Sequence, residues 1–154
     1  MNSFPLGLMT MMVIAPTVLV AMWYDIRTRT IPNWVTLPPI IAAPLLAAAH
    51  GGWQAGALTL YVGALTFAAY AFLWRLGGIG GGDVKLMTGL AAALGPLALP
   101  FHLYTIGAAA AVSVYQMIRQ RSRSVTIPYA VPAAMAVIAT LASHWAIHWL
   151  PSVS

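Results

Sequence analysis

From Thr30 to Trp74, and again from Leu86 to Ile118, the chain carries no Asp, Glu, Lys or Arg. Runs of that length do not suit a soluble fold, because a water-facing surface needs charge and a chain of 154 residues has too little interior to hide the remainder. Composition agrees, with 61% of residues apolar and 6% charged, against about 25% charged in an ordinary soluble domain. Lipid is the expected solvent, and the chain reads as one membrane-embedded domain over 1–154, all-α and polytopic. The net charge of +5 suits anionic lipid headgroups. No basic cluster lies beside exposed aromatics, so nucleic acid is not an expected partner. There is no cysteine, which excludes disulfides and thiolate metal sites.

The charges divide the chain into apolar stretches at roughly 4–24, 34–49, 55–74, 84–99, 101–118 and 129–150, which predicts six transmembrane helices. About 20 residues are needed to cross a core of about 30 Å, so the shorter stretches must be thinned, tilted or partly broken. The tightest region is 84–118, where Gly95, Pro96 and Pro100 supply a turn; one crossing with a re-entrant piece is the alternative there. The basic residues fall in three places: Arg27 with Arg29, Arg75 with Lys85, and Arg119, Arg121 and Arg123. Six crossings put all of them on one face, which the positive-inside rule makes cytoplasmic, with both termini extracytoplasmic and segments 50–54 and 95–102 outside. The first stretch has no positive n-region and its charges follow it, so it reads as a retained helix rather than a signal peptide.

Only two carboxylates exist, Asp25 in YDIRTRTIPN and Asp83 after the glycine run GGIGGG. Both are expected at the cytoplasmic edge, at the end of the first helix and the start of the fourth. Taken singly, each reads equally well as a loop charge, and Asp83 as the N-cap of a helix from Val84. Taken together they suggest a site, because two carboxylates about 4 Å apart repel by about 4 kcal/mol at an effective dielectric of ~20, so one keeps a proton. Such a pair hydrolyses amides: the ionised group takes a proton from water while the protonated group polarises the scissile carbonyl. Glycines before Asp83 suppress helix and leave backbone for an extended substrate to pair with. The run fits neither GxxxxGK[ST] nor GxGxxG, which argues against a phosphate loop.

GGGDVKLM at 80–87 resembles the GxGD aspartyl protease signature. Together with DIRTRTIPN at 25–33, where Ile31 and Pro32 follow the aspartate by six and seven positions, it is similar to the prepilin peptidases, specifically the short peptidases of Tad (Flp-type) pilus systems, the CpaA/TadV group. IPYA at 127–130 is similar to a family segment that usually reads PYG, with Ala130 in the glycine's place. The resemblance implies Asp25 and Asp83 as catalytic pair, Gly80 and Gly82 as the signature glycines with Gly81 between them in the loop backbone, and a prepilin as substrate. It implies removal of the short leader just after a glycine, at the cytoplasmic face of a bacterial inner membrane. The larger relatives that also N-methylate carry a long insertion near the first aspartate, often with paired zinc-binding cysteines. Here that loop is short, so cleavage alone is expected, with neither metal nor cofactor. Presenilin-like relatives share GxGD but have nine helices, more than this chain can supply.

A different class also fits two membrane-edge aspartates: a small transporter or channel using them as a proton or cation relay. Peptide cleavage, as opposed to flux in liposomes, separates the two. Lys85 and Arg27 stand two positions from the aspartates and are expected to snorkel to headgroups rather than pair with them. His144 and His148 have i, i+4 spacing but are expected far from the aspartates, as are His50 and His102, so no metal site is expected. Pro38, Pro39 and Pro44 predict an irregular second helix, a candidate wall of a substrate groove, with Pro32 in its first turn and Asn33 a possible cap. Gly52 and Gly56 have GxxxG spacing, which permits a homodimer. Trp23, Trp34, Trp53, Trp74 and Trp149 fall where an interfacial aromatic belt would lie.

Overall fold

A computed structural model describes residues 8–120 and 128–149. Arg121, Arg123 and Ile127 lie outside the described residues, as do the ends of the first and last apolar stretches and the side chains of His148 and Trp149. The described residues form helices α1 (Leu8–Thr28), α2 (Asn33–Arg75), α3 (Gly81–Leu94), α4 (Ala98–Gln120) and α5 (Ala130–Trp149), with a 3₁₀ turn at Gly95–Leu97 between α3 and α4.

Helix α1 ends where Arg29 turns left-handed (φ 55°) and its N–H bonds the Asp25 carbonyl at 3.1 Å, an αL cap. Helix α2 has 43 residues, about 65 Å if it were straight, but it is a hairpin. Gly52 has φ 77° and ψ 178°, a backbone region open essentially to glycine alone. The arms fold together after it: a β-carbon at Gly56 would lie 2.8 Å from Ala48 Cβ and 3.1 Å from the Pro44 carbonyl oxygen. Gly56 is therefore consumed by packing within the hairpin, so the GxxxG spacing at 52–56 serves an intramolecular contact. The three prolines do not disorder the first arm, because among α2's residues only Gly52 leaves helical φ/ψ. Pro39 is buried instead, its ring against Gly89, where a β-carbon would meet it at 2.9 Å.

Helix α3 is the core. Val84 and every residue from Leu86 to Leu94 are buried, wedged between the α2 arms, with Gly89 against Pro39 and Gly63 against Ala92. At 14 residues it is about 21 Å long. Because Ala92 lies level with Gly63, and eleven helical positions separate Gly63 from Gly52, α3 stops on the order of 15 Å short of the α2 turn. The turn at 95–102 was expected in an external segment, yet it is folded into the bundle, with Gly95, Ala98 and Phe101 buried. An uncharged turn can be held at depth by packing, and that leaves no mark in the charge pattern.

The outside of the bundle is as apolar as its centre. Leu19, Leu60, Ile106, Ile138 and Ile147 are all exposed, which is costly in water and ordinary in lipid. Several buried hydroxyls are satisfied within their own helices: Thr17, Thr59, Thr88 and Thr105 each donate to the carbonyl four residues earlier, at 2.7–2.9 Å. Three helical stretches, Asn33–Arg75, Gly81–Arg119 and Ala130–Ile147, are long and apolar enough to cross a membrane. The protein is an all-helical integral membrane protein.

Candidate active site

The end of α1, the starts of α2 and α3, and the start of α5 meet at one end of the bundle. Asp25 sits near the end of α1 and is only 5% exposed. Its Oδ2 accepts a hydrogen bond from the Ala130 N–H at 2.8 Å, across 105 positions. A buried carboxylate needs such a donor, and the first turn of a helix supplies one that has no partner in its own helix. Arg29 acts electrostatically on the same carboxylate.

Asp83 is the third residue of α3 and only partly buried. The Gly80 N–H donates to its Oδ2 at 3.1 Å, while the Gly80 carbonyl accepts from the Asp83 and Val84 amides. The helix thus begins three residues earlier than a cap at Asp83 requires, with Gly80 as N-cap and the aspartate reaching back as the N3 half of a capping box. Asp83 and Asp25 are close enough to interact electrostatically. The structure therefore gathers the protein's two acids at one end of the bundle, 58 positions apart in sequence.

Two further contacts bind the aspartate segments to each other. Lys85 Nζ donates to Asn33 Oδ1 at 2.8 Å; the lysine pairs with the IPN segment instead of snorkelling away, and Asn33 accepts it instead of capping α2, whose N-cap is Pro32. Gly82 lies against the loop: a β-carbon there would fall 3.2 Å from Ile31 Cβ and 3.3 Å from the Ile31 carbonyl oxygen. At Gly80 a β-carbon would sit 3.0 Å from Asp83 Oδ2. Both signature glycines are there for space. Arg27 does stand apart from the carboxylates, its guanidinium 3.8 Å from the Trp23 ring.

The glycine loop is less open than expected. The N–H groups of Gly77, Gly78 and Gly80 go to the Trp74 carbonyl, the Leu73 carbonyl and Asp83. Gly81 and Gly82 fall in the first turn of α3, where amides have no intrahelical acceptor.

A match to the Type IV leader peptidase family runs over residues 12–142. The chain belongs to that family. No curated protein and no solved structure matches the chain. The matched range of this leader peptidase takes in both aspartates, the 80–83 signature and the IPYA segment, so the polar end of the bundle is the place to look for its chemistry.

One polar cluster behind that site leaves little mark in the sequence. His102 was expected outside; it lies half-buried in α4, 3.2 Å from the Thr66 hydroxyl and 3.3 Å from the Tyr70 hydroxyl. Tyr70 in turn meets Tyr129, with the two rings edge to face and their centroids 6.5 Å apart. The one available signal was Tyr129 itself, a polar aromatic inside IPYA and next to Ala130. His144 lies in α5, away from this cluster in sequence and in element.

Proposed function

We propose that the protein is an aspartic endopeptidase that removes the leader of Flp-like type IV prepilins at the cytoplasmic face of the bacterial inner membrane. The observation that carries this reading is the gathering of the chain's two aspartates at one end of the bundle, Asp25 buried under the Ala130 N–H and Asp83 in the partly exposed first turn of α3, which packs against the loop after Asp25.

The chemistry follows from one shared proton. The ionised aspartate takes a proton from water as the water oxygen bonds to the carbonyl carbon, and the protonated aspartate donates to the carbonyl oxygen. The tetrahedral diol then collapses, breaking the C–N bond as the pair returns a proton to the leaving nitrogen. The Gly81 and Gly82 amides offer donors to an extended substrate backbone. The basic residues Arg27, Arg29, Arg75 and Lys85 flank this end of the bundle, which orients it to the cytoplasm and both termini away from it. Six helical segments are then embedded, with the 14-residue α3 the short one, around which the bilayer thins. Only residues 29–32 separate α1 from α2, too few for the insertion associated with N-methylation, so cleavage is the sole activity.

The test is to incubate the purified protein in lipid with a precursor bearing a basic leader, a glycine and an apolar helix. Mass spectrometry of the product should show a cut after the glycine and an unmethylated new amine. An intact precursor, with aspartate-dependent ion flux in liposomes, would sink the protease reading in favour of a transporter.

A further inference from the structure

We infer that Tyr129 is a positioning residue for the aspartate pair, with its hydroxyl aimed by a hydrogen-bonded chain through Tyr70 and His102. The inference rests on the proteolytic reading above and extends it to the tyrosine of IPYA and to Tyr70 and His102 behind it.

Residues 129 and 130 stand beside the pair. The Ala130 N–H is bonded to Asp25, and the Tyr129 phenol lies within electrostatic reach of Asp83. Behind Tyr129 stands a polar file in an otherwise apolar bundle: its ring meets that of Tyr70 edge to face at 6.5 Å, the Tyr70 hydroxyl lies 3.3 Å from His102 Nδ1, and His102 Nε2 lies 3.2 Å from the Thr66 hydroxyl. Thr66 is informative here. Of the buried threonines whose hydroxyls have a partner, Thr17, Thr36, Thr59, Thr88 and Thr105 donate to their own helix backbone, whereas Thr66 turns to the histidine.

Counting donors gives the file a direction. A neutral imidazole has one donor and one acceptor nitrogen, and each hydroxyl has one proton. With Asp83 ionised, the favourable order is Thr66 hydroxyl to Nε2, Nδ1–H to Tyr70, and Tyr70 hydroxyl to Tyr129. The Tyr129 proton is left to point toward the carboxylate. The order is self-consistent, and mutual polarisation along such a chain strengthens its terminal donor. The groups placed to act on the pair are then Arg29 beyond α1 and Tyr129 ahead of α5, with Tyr70 and His102 behind the tyrosine, while Lys85 in α3 is engaged with Asn33.

Tyr129→Phe keeps the ring and deletes the donor. Losing a donor to the ionised carboxylate disfavours that form, so the acidic limb of the pH–rate profile should move to higher pH by about one unit, with kcat down about tenfold. KM should stay within about twofold, since the change removes a donor to the carboxylate and leaves the Gly81 and Gly82 amides in place. Tyr70→Phe should shift the profile in the same direction by less. The double variant should be no worse than Tyr129→Phe alone, because the file acts as a unit. Thermal unfolding in detergent should match the parent. A parental rate and profile for Tyr129→Phe overturns the inference, as does a loss of rate that leaves the profile unmoved or tracks a fall in unfolding temperature. Asp25→Asn, run alongside, separates the two levels: if it cleaves normally the protease reading itself is wrong, and if it is dead while Tyr129→Phe is normal only the inference falls.

Discussion

Glycines mark two breaks in helix of different physical cause, at Gly51–Gly52 in the middle of α2 and at Gly77–Gly82 around the start of α3. At Gly52 nothing lies within 4 Å of the missing β-carbon, and the backbone (φ 77°, ψ 178°) is what requires glycine. Gly77 is of the same kind, with φ 76° and open space around it. At Gly80 and Gly82 it is space that is scarce, because one crowds the Asp83 carboxylate and the other the Ile31 backbone. One interruption folds the chain back on itself, while the other lets two motifs approach until their acids interact.

That contrast predicts opposite responses to added side-chain atoms. Gly82→Val should have the largest effect, because its methyls push the 29–32 loop away from α3 and the two aspartates with it. A misplacement of about 1 Å can cost ~100-fold in rate, so leader cleavage should fall by about that factor, with about 2 kcal/mol of stability lost to overpacking. A rate near the parental one in a cleavage time course would show that the close approach is incidental. Gly80→Ala places its methyl against Asp83 Oδ2 and should slow cleavage roughly tenfold while unfolding in detergent stays near the parent. Lys85→Met removes the 2.8 Å bond to Asn33. That contact is exposed, so about 1 kcal/mol and a few-fold loss of rate are expected, while Asn33→Asp, which keeps an acceptor for the lysine, should retain activity. Gly52→Ala closes the series: it should lower stability by about 1–3 kcal/mol with no change in rate per folded molecule, measured by denaturation and by active-site-normalised turnover.

Sequence alone carries much of this organisation, for reasons that can be traced to particular residues. Charges are so sparse that Arg29, Arg75 and Arg119 mark helix ends almost unaided, and the helices observed match the apolar stretches to within a few residues. Asp25 and Asp83 stood out because no other acid competes with them. The depth of the α3–α4 turn was invisible, since Gly95 and Pro96 signal a turn without saying how far it lies from the membrane surface. The partners of Lys85 and His102 were equally hidden. Asn33 lies 52 positions from Lys85 and Tyr70 lies 32 from His102, and only packing brings them together. Prolines misled, because their effect on α2 was judged from the helix alone while Gly89 had made room for Pro39 across the interface.

The claim at the centre is that Asp25 and Asp83 act as a single proton-sharing unit, and a double-mutant cycle on leader cleavage by the purified protein tests it most directly. Asp25→Asn and Asp83→Asn should each reduce the rate by at least about a thousandfold, and the double variant should be no slower than either single, because removing one member of a unit removes the function of both. Losses that simply multiply, or a single variant that cleaves at the parental rate, would contradict the account.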